Sequence, residues 1–210
     1  METTQYKGLT IRIEADTDCT SPLEYDECVF ITYRAGARSC YGNTPLDQEA
    51  HEDIARQIEA GTLIGLPVYV YQHSGVLIQA SEGNPFSCPW DSGQSGYVYV
   101  TKKTALDWQG GKVLTAKKRT ATLDSLRSVV SEYSKWCNGE CYGYIIEDGA
   151  GEQLESCWGF IGYEYAEQEA QSAADCCIVQ IEKDRKQASA QKARETRERN
   201  AWACRGMVTQ

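Results

Sequence analysis

The sequence predicts an α+β fold: a mainly antiparallel sheet of about six or seven strands, two or three helices packed on it, and a long C-terminal helix. Three observations carry this expectation. Between Val68 and Thr101 three apolar runs are cut by two turns containing Gly and Ser, and Val68, Val70, Val76, Ile78, Val98 and Val100 lie among Tyr69, Tyr71, Tyr97 and Tyr99. β-branched and aromatic residues at period two are what a pleated, partly buried strand requires. Two other stretches repeat their apolar residues at helical spacing, and the chain beyond about Tyr165 keeps a helical character to roughly Cys204.

Taken in order, Leu9, Ile11 and Ile13 alternate with Thr10, Arg12 and Glu14, which predicts a half-buried strand. Cys28 to Tyr33 predicts a second one, after a connection that crowds Asp16, Asp18, Glu24, Asp26 and Glu27. Leu46, Ile54, Ile58 and Leu63 predict an amphipathic helix ending near Gly61, with Thr44 as its N-cap and Pro45 at its first position. The central strands follow, then residues 102–119, which hold Lys102, Lys103, Lys112, Lys117, Lys118 and Arg119 against the single acid Asp107. Thr122 is expected to cap a helix from Leu123 to Trp136, where Leu126, Val129, Val130 and Tyr133 repeat at three- and four-residue spacing. Two alternating runs joined at Asp148-Gly149-Ala150-Gly151 predict a hairpin. In the final helix Ala170, Ala173, Ala174, Cys177, Ile178 and Ile181 supply an apolar face, whereas DRKQASAQKARETRERN has almost none. Residues 1–181 are therefore expected to form one α+β domain and residues 182–210 a charged helical extension.

At 210 residues the chain is long enough to bury an ordinary core. A net charge of −9 disfavours a general nucleic-acid binder, which needs a basic surface to displace counterions, and favours basic partners. No charged-then-apolar leader opens the chain, and no apolar run approaches the roughly 18 to 20 residues that span a bilayer, so neither export nor membrane insertion is expected. The ten cysteines are read as thiols of a reducing compartment, most of them small buried hydrophobes.

The densest polar cluster, Ser87, Cys88, Trp90, Asp91, Ser92 and Gln94, lies on the loop between the second and third central runs, and such loops commonly carry function. If the two central turns meet, Cys88 and His73 form a thiolate–imidazole pair with Asp91 orienting the ring; the competing reading is a turn histidine and a structural cysteine. Asp16-x-Asp18 starts like a calcium loop but lacks the glycine and glutamate that an EF-hand places at its sixth and twelfth positions. Cys137 and Cys141, with Cys157 across the hairpin as a third ligand, suggest a zinc site but lack a second short-spaced pair and a nearby His. No metal or cofactor is expected. Trp90, Gln94, Arg34 and Lys102 are the candidates for a ligand pocket, since Tyr and Trp beside cations suit a small signalling nucleotide. No Lys or Arg occurs between Lys135 and Lys183, so Glu147, Asp148, Glu152 and Glu155, or Asp16, Asp18 and Asp26, are the candidates for a partner-binding acidic face.

The strings IRIEADTD, SPLEYDECVFITYRAG, LPVYVYQHSG, PFSCPWDSGQSGYVYVTKK, YGYIIED and SCWGFIG resemble an uncharacterised family of small accessory proteins of bacteriophages and other mobile elements, over about the first 165 residues. The resemblance implies expression in a host bacterial cytoplasm. By analogy it suggests a non-enzymatic protein that counters host defence, of anti-CRISPR or anti-restriction type, by presenting a DNA-mimicking acidic surface to a basic surface of a host complex. The alternatives are a Cys/His hydrolase or nucleotide-processing enzyme centred on Cys88 and His73, or a sponge for a signalling nucleotide. Direct nucleic-acid contact is not expected, and a dimer is left open.

Overall fold

The computed structural model describes residues 2–25, 28–35 and 40–206, with side chains through residue 199. In chain order the elements are β1 (Glu2–Tyr6), β2 (Leu9–Ala15), a 3-10 turn (Pro22–Glu24), β3 (Phe30–Arg34), β4 (Thr44–Leu46), α1 (Gln48–Glu59), β5 (Leu63–Gln72), β6 (Val76–Ala80), β7 (Ser92–Thr101), α2 (Lys102–Gln109), α3 (Ala116–Cys137), β8 (Cys141–Glu147), β9 (Gln153–Ile161) and α4 (Tyr163–Gly206). The fold is α+β with mostly antiparallel strands. The strands form two sheets, ordered β1-β2-β8-β9 and β4-β3-β7-β5-β6. Two compact units result: one of Met1–Glu14, Gly143–Trp158 and Glu164–Gln210, the other of Ala15–Tyr142 and Gly159–Tyr163. The boundary expected at residue 181 falls inside α4, which runs unbroken through it.

In the larger unit one face of the sheet turns Ile64, Leu66, Val68 and Val70 of β5, Ile78 of β6 and Val98 and Val100 of β7 onto Leu126, Val130 and Tyr133 of α3, all buried. The helical residues are spaced by four and three, so they share one helix face. β6 is the outer strand, and its edge is occupied by α3: Ile78 N donates to Ser134 Oγ at 2.9 Å and Val76 N to Asn138 Oδ1 at 3.0 Å. An open edge there would be a template for strand pairing; two helix side chains close it. The other face of the sheet carries half-buried Tyr69, Tyr71, Tyr97 and Tyr99, with Phe30 stacked on Tyr99 at 5.2 Å between centroids.

Three expectations for this unit are corrected. Thr44 and Pro45 do not start a helix, because Thr44–Leu46 pairs in parallel with β3, and Asp47 caps α1 by accepting from Ala50 N at 2.9 Å. Thr122 is not a cap: α3 starts two turns earlier behind Thr115, and the buried Thr122 hydroxyl donates to the Lys118 carbonyl oxygen at 2.9 Å. The stretch after the central strands contains α2, capped by Thr101, where no element was foreseen.

In the smaller unit the buried positions are Leu9, Ile11 and Ile13 of β2, Tyr144 and Ile146 of β8, and Ala166, Ala170 and Ala174, a stripe of three at four-residue spacing on α4. β1 pairs with β2 through a turn at Lys7 and Gly8, and Lys7 Nζ reaches Asp175 Oδ1 of α4 at 2.7 Å. Glu182 to Arg199 are exposed throughout, as the charged composition of that half predicts.

Candidate functional site

The site is made by an irregularity in β7. Val68 faces Gly96 and Tyr69 faces Gln94, so Ser95 is the extra residue of a β-bulge, a device that re-aims a side chain. The neighbouring strand comes very close on the other side. A Cβ at Gly96 would overlap the Thr32 carbonyl, and Tyr97 N donates to Thr32 Oγ1 at 2.9 Å, so only glycine admits this approach.

Over the bulge lies the first half of α1. His51, only 8% exposed, sits on the same helix face as Ile54 and Ile58, with its ring centroid 6.2 Å from that of Tyr97. Together Arg34, Gln48, His51, Glu52, Ala55 and residues 94–97 line a cavity of about 180 Å³. Two of these lining residues carry a buried polar atom without a hydrogen-bond partner, His51 Nε2 and Ser95 Oγ. At its rim Gln48 Nε2 donates to Glu52 Oε1 at 2.7 Å and so fixes the carboxylate, while among the described residues Arg34 has no carboxylate within 4.0 Å. A cationic, an acidic, an imidazole and a hydroxyl side chain thus belong to residues that line one small space.

Of the pocket residues expected from the sequence, Arg34 and Gln94 meet here. Lys102 lines a different concavity, and Trp90, 92% exposed, stands on the loop surface. His51, Ser95, Gln48 and Glu52 were not foreseen; the available signal was a histidine in line with the apolar face of an amphipathic helix.

The Cys88 constellation is assembled only in part. Cys88 Sγ donates to Asp91 Oδ2 at 3.4 Å, but among the described residues no hydrogen bond joins His73 to Cys88, and His73 is exposed at the β5–β6 turn. The loop is closed on itself: Ser92 Oγ donates to the Cys88 carbonyl oxygen at 2.6 Å, Phe86 N to Asn84 Oδ1 at 3.0 Å, and the Phe86 ring lies 5.7 Å from Tyr71. Asp91 therefore orients a thiol rather than an imidazole.

The candidate acids divide by role. Asp16 accepts from Asp18 N at 3.0 Å and from Gly159 N at 2.9 Å, which commits both its oxygens to the backbone. Glu147 lies 3.4 Å from Arg12, and Asp148 Oδ1 accepts from Ala150 N and Glu152 N, at 2.8 and 2.9 Å, holding its own turn. Those backbone donors pull the Asp148 carboxyl below its usual range. Asp18, Glu152 and Glu155 are exposed, and Asp26 lies outside the described residues. The zinc reading does not assemble: Cys137 interacts with Tyr133, Cys141 is buried against Cys19, and no cluster suited to a metal ion occurs among the described residues. No helix is long and apolar enough to cross a membrane among the described residues. Comparison with protein-family models, with curated proteins and with solved structures gives no match.

Proposed function

We propose that this is a non-enzymatic binding protein, an accessory protein of a bacteriophage or mobile element that counters host defence by withholding a small polar ligand in the pocket between α1 and the β3–β7 pair. The observation that carries this reading is that two residues lining one cavity, His51 and Ser95, each hold a buried polar atom, Nε2 and Oγ, without a hydrogen-bond partner. Leaving such a group unpaired costs about 1–3 kcal/mol, and a ligand that bonds to both recovers that cost when it binds. At about 180 Å³ the cavity is below the roughly 300 Å³ where sites for drug-sized ligands begin, so the bound part is the size of a base or an amino acid. The phage context rests on the resemblance of the PFSCPWDSGQSG string, whose last three residues, Gln94 to Gly96, line this pocket.

The test is mass spectrometry of small molecules released from the full chain after purification from a bacterial host, beside the Arg34→Ala and His51→Ala variants. A compound carried by the wild type and lost from both variants supports the reading, and phage growth on a defended host, supported by the wild type, should be lost with the same variants. Equal carriage by all three proteins, or none by any, sinks it. A second reading, the acidic surface as a DNA mimic, keeps Glu152 and Glu155 as exposed acids in a segment free of basic residues.

A further inference from the structure

We propose a second ligand site near the other end of α1, a basic concavity that takes a phosphorylated small molecule of nucleotide class. Residues 102–119 carry six basic side chains and one acid in a chain of net charge −9. Among the described residues none of the six takes part in an ion pair, although ion pairs occur elsewhere in the molecule. Three of them, Lys102, Lys112 and Arg119, line one concavity of about 470 Å³, with Leu106, Val113 and Leu114 as an apolar wall.

The fold, not a set of acids, brings these cations together. Lys102 opens α2, Arg119 lies in the first turn of α3, and Lys112 stands on the connection between the helices. Lys118 fixes that connection, its Nζ donating to the carbonyl oxygens of Gly110 at 2.5 Å and Val113 at 3.3 Å. Like charges converging on one space repel, so a multivalent anion placed among them is stabilised by all three at once. Arginine's planar fork suits a phosphate bidentately, and lysines serve it as point charges. The wall explains why the ligand is more than phosphate: Val113 is 68% exposed and offers apolar surface to a base or sugar. The volume falls within the roughly 300–1,000 Å³ typical of small-molecule sites. A long polyanion fits less well, because the chain's excess of acid repels whatever extends beyond the concavity.

The experiment is calorimetric titration of the full chain at low ionic strength with ATP, inorganic pyrophosphate and a single-stranded oligonucleotide, using the wild type, Lys112→Gln, the Lys112→Gln/Arg119→Gln pair and Arg34→Ala. The expected result is that ATP binds more tightly than pyrophosphate, that affinity falls ~tenfold for each cation removed, and that Arg34→Ala binds ATP as the wild type does. Lys112 is on an exposed connection, so its single variant carries the test if the pair fails to fold. Absence of ATP binding, unchanged affinity in Lys112→Gln, or an oligonucleotide that outcompetes ATP through the same residues overturns the proposal. Since Arg34 belongs to the other pocket, either site can fail without the other.

Discussion

Ser95 is the residue at which function and stability pull in opposite directions. Its hydroxyl is buried with no partner, so Ser95→Ala removes an unmet polar group and should stabilise the ligand-free protein by about 1 kcal/mol, read as a higher melting temperature, while weakening ligand carriage. A lower melting temperature would mean that the hydroxyl has a structural partner. Cys141 gives a pH dependence. Burial, and then its contact with Cys19, with Asp16 and Glu140 nearby, pushes its thiol up to about 12. A raised acid favours folding while it stays protonated, so its contribution is complete below the unfolded thiol range near 8.5 and is lost as pH rises above it. Burial pushes the Cys137 and Cys177 thiols up as well, so melting temperature should fall from about pH 8.5 upward, less steeply in Cys141→Ala. An identical slope in that variant would assign the effect to the other groups. None of this was legible in the sequence, because burial of one hydroxyl depends on a bulge, and contact between Cys19 and Cys141 on two segments far apart in the chain.

At the scale of elements the sequence was most readable where periodicity acts alone. The alternation of β2, β5 and β7, the hairpin turn at Asp148 to Gly151, and the change of character along α4 all appear as expected. It misled where a cap pattern and a strand pattern compete for the same residues: Thr44-Pro45 suits a helix start, yet parallel pairing with β3 takes it, which only the tertiary fold decides. The start of α3 was hidden because Lys117 to Thr120 are polar and exposed or half-buried, so the buried spacing begins only at Thr122 and Leu126. For α4 the exposure of Glu182 to Arg199 makes a prediction: truncation after Ile181 removes exposed contacts such as Arg194 to Glu198, at 3.0 Å, and among the described side chains no buried ones. Exposed pairs of this kind contribute about 0.3–0.5 kcal/mol each, so the melting temperature should change by no more than about 2–4 °C. A larger fall would show that the distal half of α4 is buried against a partner or a second copy.

For the molecule as a whole the question is whether its excess of acid is a tool or a solvated surface. A net charge of −9 steers basic partners at long range, and a DNA-mimicking contact would have to weaken with salt. Reversing all four hairpin acids would be a poor test, because Glu147 pairs with Arg12 and Asp148 holds the turn through Ala150 N and Glu152 N, so their loss disturbs the fold. Glu152 and Glu155 are exposed and free of those duties, and Glu152→Lys with Glu155→Lys moves the net charge by four units while leaving the pocket of the other unit untouched. If the protein works by withholding a ligand, this double variant should carry that ligand and protect phage on a defended host as the wild type does, at every ionic strength tested, whereas Arg34→Ala should do neither. The opposite pattern, protection abolished by the two lysines and intact in Arg34→Ala, with binding to a host complex that fades as salt rises, would make the acidic hairpin the working surface and reduce the pocket to a flaw in packing.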